Sequence, residues 1–121
     1  MLTVRGSVVP DRVVLGTTGE LPSALTIFIQ GSSLPTRSSF GDGVRCIGGA
    51  LKRLAVESAV AGAASYPGPG DLPISVRSAA LGDPIQPGSY RYYQVVYRDS
   101  NPGFCNPQAT FNASNAVMVA W

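Results

Sequence analysis

Glycine and proline interrupt this chain so often that an α-helix has almost nowhere to form. Fourteen glycines and ten prolines among 121 residues leave few windows of the roughly ten unbroken residues a helix needs. The best candidate runs from Ala50 to Ala64, where Ala, Leu, Lys and Arg favour helix. It also holds the β-branched Val56 and Val60, and Gly62 breaks it. We therefore read it as a strand and a turn, and expect no amphipathic helix.

Strand signals are denser. β-Branched and aromatic residues cluster between turn formers. The expected strands are Leu2 to Val9, Arg12 to Thr17, Leu25 to Gln30, Val44 to Ile47, Leu51 to Ser58, Ile74 to Ser78, Tyr90 to Arg98 and Ala116 to Trp121. Turns are expected at Pro10-Asp11, Thr18-Gly19, Gly31 to Pro35, Pro67 to Pro73, Gly82 to Gly88 and Asn101 to Gly103. About seven or eight short strands at this spacing predict an all-β fold. The expected architecture is a single antiparallel β-sandwich over residues 1–121, immunoglobulin-like or jelly-roll-like, with one disulfide.

The segment Tyr90 to Arg98 is the most diagnostic. Alternation places Tyr90, Tyr92, Gln94, Val96 and Arg98 on one face and Arg91, Tyr93, Val95 and Tyr97 on the other. Large side chains on both faces predict a central strand covered on both sides. Its tyrosines read as core packing; a stacking platform for sugar rings is the sharper alternative.

Charge narrows the partners. Only 13% of the residues are charged, against 45% hydrophobic, and that is about half the usual charged share. Solubility must then rest on Ser, Thr, Asn and Gln, or on burial of the surface by neighbouring subunits. Nine basic and seven acidic residues give a net charge of +2 and form no basic run, so nucleic acid and anionic membrane are not expected partners. No apolar stretch approaches the ~20 residues of a membrane helix, so no membrane insertion is expected. The start, Met1-Leu2-Thr3-Val4-Arg5, lacks the features of a signal peptide. If the protein is secreted, the sequence is expected to be a mature or excised form.

Catalytic equipment is sparse. The chain has no histidine, the usual general base and commonest metal ligand. The carboxylates Asp11, Glu20, Asp42, Glu57, Asp71, Asp83 and Asp99 stand singly. Asp42, Asp71 and Asp83 read as turn residues, and a calcium site on Asp42, Asp71 or Asp99 lacks a ligand-dense loop. Lys52 beside Arg53 reads as a solvated face rather than the base of a Ser-Lys pair. Phosphate-loop, dinucleotide and CxxC motifs are absent. The sequon Asn112-Ala113-Ser114 arises readily by chance and is given no weight. No enzyme, metal or cofactor is expected.

Two cysteines remain. Cys46 and Cys105 lie far apart, each beside turn formers, and read as one staple. Closing that loop is worth about 4 kcal/mol in the chain-entropy account. In a reducing compartment the alternative is two inert buried thiols.

Several segments carry a resemblance. The run Ser39-Phe40-Gly41-Asp42-Gly43-Val44-Arg45-Cys46-Ile47-Gly48-Gly49, then Leu51-Lys52-Arg53-Leu54, resembles a recurring β-rich module of large secreted bacterial proteins. Further matches are Leu21-Pro22 with Ile27 to Gly31, Arg91-Tyr92-Tyr93-Gln94-Val95-Val96-Tyr97-Arg98, and Phe104-Cys105. Thr110 to Ala116 and the closing Trp121 complete it. In those proteins the module commonly sits at the C-terminal end. The resemblance implies a secreted or cell-surface β-rich domain, its two cysteines paired, and no catalytic role.

Three functions follow as expectations, the third of them a passive sorting or attachment domain cut from a longer protein. The first is a structural subunit of an extracellular homopolymer, filament- or pilus-like, joined to copies of itself by exchange of a terminal strand. Its candidate exchanged residues are Leu2, Val4 and Val8 at one end and Val117, Val119 and Trp121 at the other. The second is an adhesion or carbohydrate-binding module for surface glycans. It would use an aromatic patch drawn from Tyr66, Tyr90, Tyr92, Phe104 and Trp121.

Overall fold

The structure, a computed structural model, describes residues 1–35, 38–40, 43–98 and 111–121. In chain order its strands are β1 (Leu2–Arg5), β2 (Val14–Thr17), β3 (Leu25–Gly31), β4 (Ser38–Phe40) and β5 (Gly43–Arg45). They continue as β6 (Lys52–Ser58), β7 (Ala64–Tyr66), β8 (Tyr90–Arg98), β9 (Phe111–Ala113) and β10 (Val117–Ala120), with one helix, α1 (Ile74–Ala80), between β7 and β8. One antiparallel sheet has the order β1-β2-β7. A second has the order β10-β8-β3-β6, with β9 also paired to β8, and β4 and β5 form a separate hairpin.

The alternation in the sequence decides which side chains face inward. Leu2, Leu15 and Tyr66 from the first sheet meet Phe28, Leu54, Tyr93, Val95 and Val119 from the second in one core, which Ile74 of α1 joins. Phe28 and Tyr66 touch across the sheets, their ring centroids 6.0 Å apart and tilted by 40°. Each such side chain contributes about 1.5–3 kcal/mol by leaving water.

β8 matches its expected bounds and is central, with β3 on one side and β10 and β9 on the other. Tyr93, Gln94 and Val95 are all buried, so its middle is covered on both faces. The stretch Ala50 to Ala64 is a strand followed by a turn, as its valines and Gly62 require.

Three expectations change. Ile74 to Ser78 is helical, not a strand, so the chain does contain a helix. Ile74 and Ser78, four residues apart, are its buried face, and the run Arg77, Ala79, Ala80 favours helix. Its first turn is held by Asp11, whose Oδ2 accepts from both the Ser75 N–H (2.8 Å) and the Ser75 hydroxyl (2.6 Å). β1 stops at Arg5 instead of Val9. Gly6 there has φ +98°, and a Cβ would lie 2.0 Å from the Arg12 carbonyl oxygen, so only glycine fits the turn. β4, β7 and β9 are three-residue strands that carry too little pattern to be expected. The readings on Asp42, Asp99, Phe104 and Cys105, and the turn at Asn101 to Gly103, lie outside the described residues.

Candidate functional site: a groove on the outer sheet face

The outward face of the five-stranded sheet carries Tyr90 and Tyr92 of β8, beside Ala120 and Met118 of β10 in the antiparallel register. Tyr90 is 52% exposed and Met118 57% exposed, while Tyr92 is half-buried. Tyr92 and Met118 line a groove of about 620 Å³ together with Leu34, Pro35, Cys46 and the run Ala113 to Ala116. None of these nine described residues is charged.

The frame around the groove is rigid where Gln94 anchors it. Its amide accepts from the Cys46 N–H (3.0 Å) and donates to the Ser114 carbonyl (2.7 Å), joining the segment after β5 to the one before β10. Ser114 N–H donates to the Val95 carbonyl (2.9 Å), and the Ser114 hydroxyl accepts from the Val95 N–H (3.0 Å). The sequence places Gln94 only on one face of β8; its role as a clamp depends on partners about 20 and 48 residues away. No local pattern signals it.

The structure separates the aromatic residues that the sequence grouped. Tyr90 and Tyr92 share the outer face, but Tyr66 is buried in the core. Trp121 packs against the core and donates Nε1–H to the Tyr93 hydroxyl at 3.2 Å. Burial holds the Tyr93 phenol well above the ordinary tyrosine range and raises that of Tyr66, against smaller opposing effects from Trp121 on Tyr93 and from the Arg77 charge on Tyr66.

The candidate exchange residues are seated within one chain. Leu2 and Val119 are buried in the core, with Val117, Trp121 and Val8 packed against it. Val4 is 39% exposed on β1. β1 pairs with β2, and β10 with β8. Among the described residues both are outermost strands of their sheets.

The carboxylates are dispersed. Asp71 accepts from the Gly68 N–H (2.8 Å), the turn role expected of it. Asp83 does more than turn the chain. Its carboxylate grips Arg91 through Nε (3.0 Å) and Nη2 (2.8 Å) and accepts from Gln30 Nε2 (3.0 Å). Gln30 Nε2 also donates to Ser78 Oγ (2.7 Å), so a buried polar cluster ties α1 to the sheet. Among the described residues no three His, Cys, Asp or Glu side chains gather as a metal site, and no helix is long and apolar enough to cross a membrane.

The fold defines a mostly β protein of two antiparallel sheets. No family model, curated protein or solved structure matches the chain.

Proposed function

We propose that this protein is a non-catalytic extracellular binding module, and that the groove beside Tyr92, whose described lining carries no charge, takes a neutral carbohydrate chain. The groove carries the reading. An aromatic side chain with no charged residue among the described lining suits the apolar faces of sugar rings. Tyr90 lies two residues along β8 on the same face, about 7 Å away by strand rise, a spacing that extends the platform beyond one ring.

The strand order supports an immunoglobulin-like sandwich over a jelly roll. β1-β2-β7 corresponds to the A, B and E strands, and β6-β3-β8-β10 to C′, C, F and G. That architecture is common in cell-surface domains. The reading includes a disulfide between Cys46 and Cys105, tested by intact mass: reduction should add two hydrogens.

The filament reading draws on the outermost positions of β1 and β10. Exchange of either requires the Asn115–Leu2 or Trp121–Tyr93 contacts to break and re-form between copies. Binding in the groove requires neither. A glycan array decides the matter: retention of neutral glycans, lost in Tyr92→Ala and kept in Val60→Ala on a remote surface, supports the proposal. An array with no retained neutral glycan, or one indifferent to Tyr92→Ala, rejects it.

A further inference from the structure

A bulge in the β3–β6 ladder helps to build a second pocket, between β6, the turn after β7 and α1. The register shifts between the pairs Phe28–Ala55 and Ile29–Arg53 and leaves Leu54 without a partner on β3. The Leu54 side chain enters the core, and its carbonyl accepts from Arg77 Nε of α1 at 3.0 Å. That bond fixes the guanidinium through one nitrogen. Among the described residues Nη1 and Nη2 of Arg77 donate to no group, and Arg77 forms no ion pair.

Arg77 opens onto a pocket of about 290 Å³, which Leu54, Tyr66, Asp71 and Leu72 also line. That volume lies near the lower end of ligand pockets and suits a small metabolite. The pocket shares no lining residue with the groove beside Tyr92. Tyr66 is only 3% exposed, its ring packed on Phe28. Its hydroxyl makes no hydrogen bond among the described residues and is not sealed from the pocket. A side chain so deeply buried ordinarily finds its polar atom a partner.

Asp71 brings the opposite charge. Its Oδ2 accepts from the Gly68 N–H, and Oδ1 accepts from no described residue. Arg77 and Asp71 thus line one pocket without pairing to each other. Both charges are felt at the Tyr66 phenol. Burial raises its pKa most, Arg77 lowers it and Asp71 raises it further.

We propose that this pocket binds a free α-amino acid with an apolar side chain, held as its zwitterion between Arg77 and Asp71. The carboxylate takes the Nη groups of Arg77, a planar fork that matches it. The ammonium takes Asp71 Oδ1. The Tyr66 hydroxyl, at once donor and acceptor, serves either group. Leu72, which is 50% exposed, covers the ligand's side chain. A simple anion would gain Arg77 but meet the like charge of Asp71, and a simple cation the reverse. A ligand that carries both charges escapes each penalty.

Amide-shift titration of the isotopically labelled full chain with L-leucine tests the site. The controls are isocaproate, which is leucine without its ammonium, and isoamylamine, which is leucine without its carboxylate. Leucine should move the amides of Gly70, Asp71, Leu72 and Arg77 saturably, and each control should bind about tenfold more weakly or worse. Asp71→Asn keeps the acceptor that Gly68 uses while removing the charge, so its melt should match the parent's. It should weaken leucine about tenfold and leave isocaproate bound as tightly or more tightly. Tyr66→Phe should also weaken leucine, with its ring still packed on Phe28. No saturable shift from leucine up to ~10 mM, a control that binds as tightly as leucine, or a leucine affinity unmoved by Asp71→Asn would each overturn the proposal.

Discussion

The side-chain amide of Asn115 pairs with the main chain of Leu2 as a neighbouring strand would. Asn115 Oδ1 accepts the Leu2 N–H at 2.8 Å, and Asn115 Nδ2 donates to the Leu2 carbonyl at 3.0 Å. One side chain thus links the first strand of one sheet to the segment entering the last strand of the other. Since Leu2 is 2% exposed, its backbone has little access to water as a substitute partner.

Asn115→Ala should therefore cost about 1–3 kcal/mol, the penalty of leaving a buried donor and acceptor unpaired. Urea denaturation measures it. Asn115→Asp keeps the acceptor but sets a carboxylate oxygen against the Leu2 carbonyl, so it should do no better than alanine. A loss below about 0.3 kcal/mol in Asn115→Ala would mean that the clasp contributes nothing.

Asp83 and Arg91 form an ion pair at 2.8 Å with side chains only 14% and 13% exposed. Truncating Asp83 to alanine strands the guanidinium and also removes an acceptor from Gln30. The expected loss is about 3 kcal/mol. A double variant, Asp83→Ala with Arg91→Ala, should cost clearly less than the two single losses added together, because the second change removes the stranded charge. Simple additivity in that cycle would argue against coupling.

Alkali should unfold the protein through Tyr93 and Tyr66. Burial raises both phenols in the fold, whereas in the unfolded chain a tyrosine releases its proton near pH 10. The folded state then binds the proton more tightly than the unfolded state. This stabilisation is complete below about pH 10 and is lost as pH rises beyond it. The decline should approach about 1.4 kcal/mol per pH unit from Tyr93, and Tyr66 adds to it in the same direction. Urea midpoints taken from neutral pH upward should fall there, and Tyr93→Phe should flatten the fall while costing about 1 kcal/mol at neutral pH through the lost Trp121 bond. A midpoint that stays level past pH 10 would contradict this.

How far the sequence leads depends on how local each cause is. β8 is legible because nine residues alternate large side chains on both faces, and that pattern suits few positions outside the middle of a sheet. β3 and β6 are nearly as clear. The helix is hidden because its first-turn cap comes from Asp11, 64 residues upstream of Ser75, and because Val76 in a run of seven residues looks equally like strand. The end of β1 depends on a collision between Gly6 and Arg12 that forms only in the fold. At the groove, Tyr92 and Cys46 could be singled out by residue type, but their meeting depends on the β8–β10 register and on the Gln94 clamp. The separation of Tyr92 from Trp121 is likewise tertiary, since both look like free aromatics until Tyr93 engages the indole.

The binding reading is tested most directly by residue-resolved amide shifts in isotopically labelled protein, titrated with a panel of neutral and charged oligosaccharides. The account predicts that a neutral sugar moves the amides of Tyr92, Ser114, Asn115 and Met118, and that Tyr92→Ala abolishes those shifts while the rest of the spectrum stays in place. No response to any neutral sugar, or a response confined to acidic sugars at Arg53 and Arg98, would contradict it.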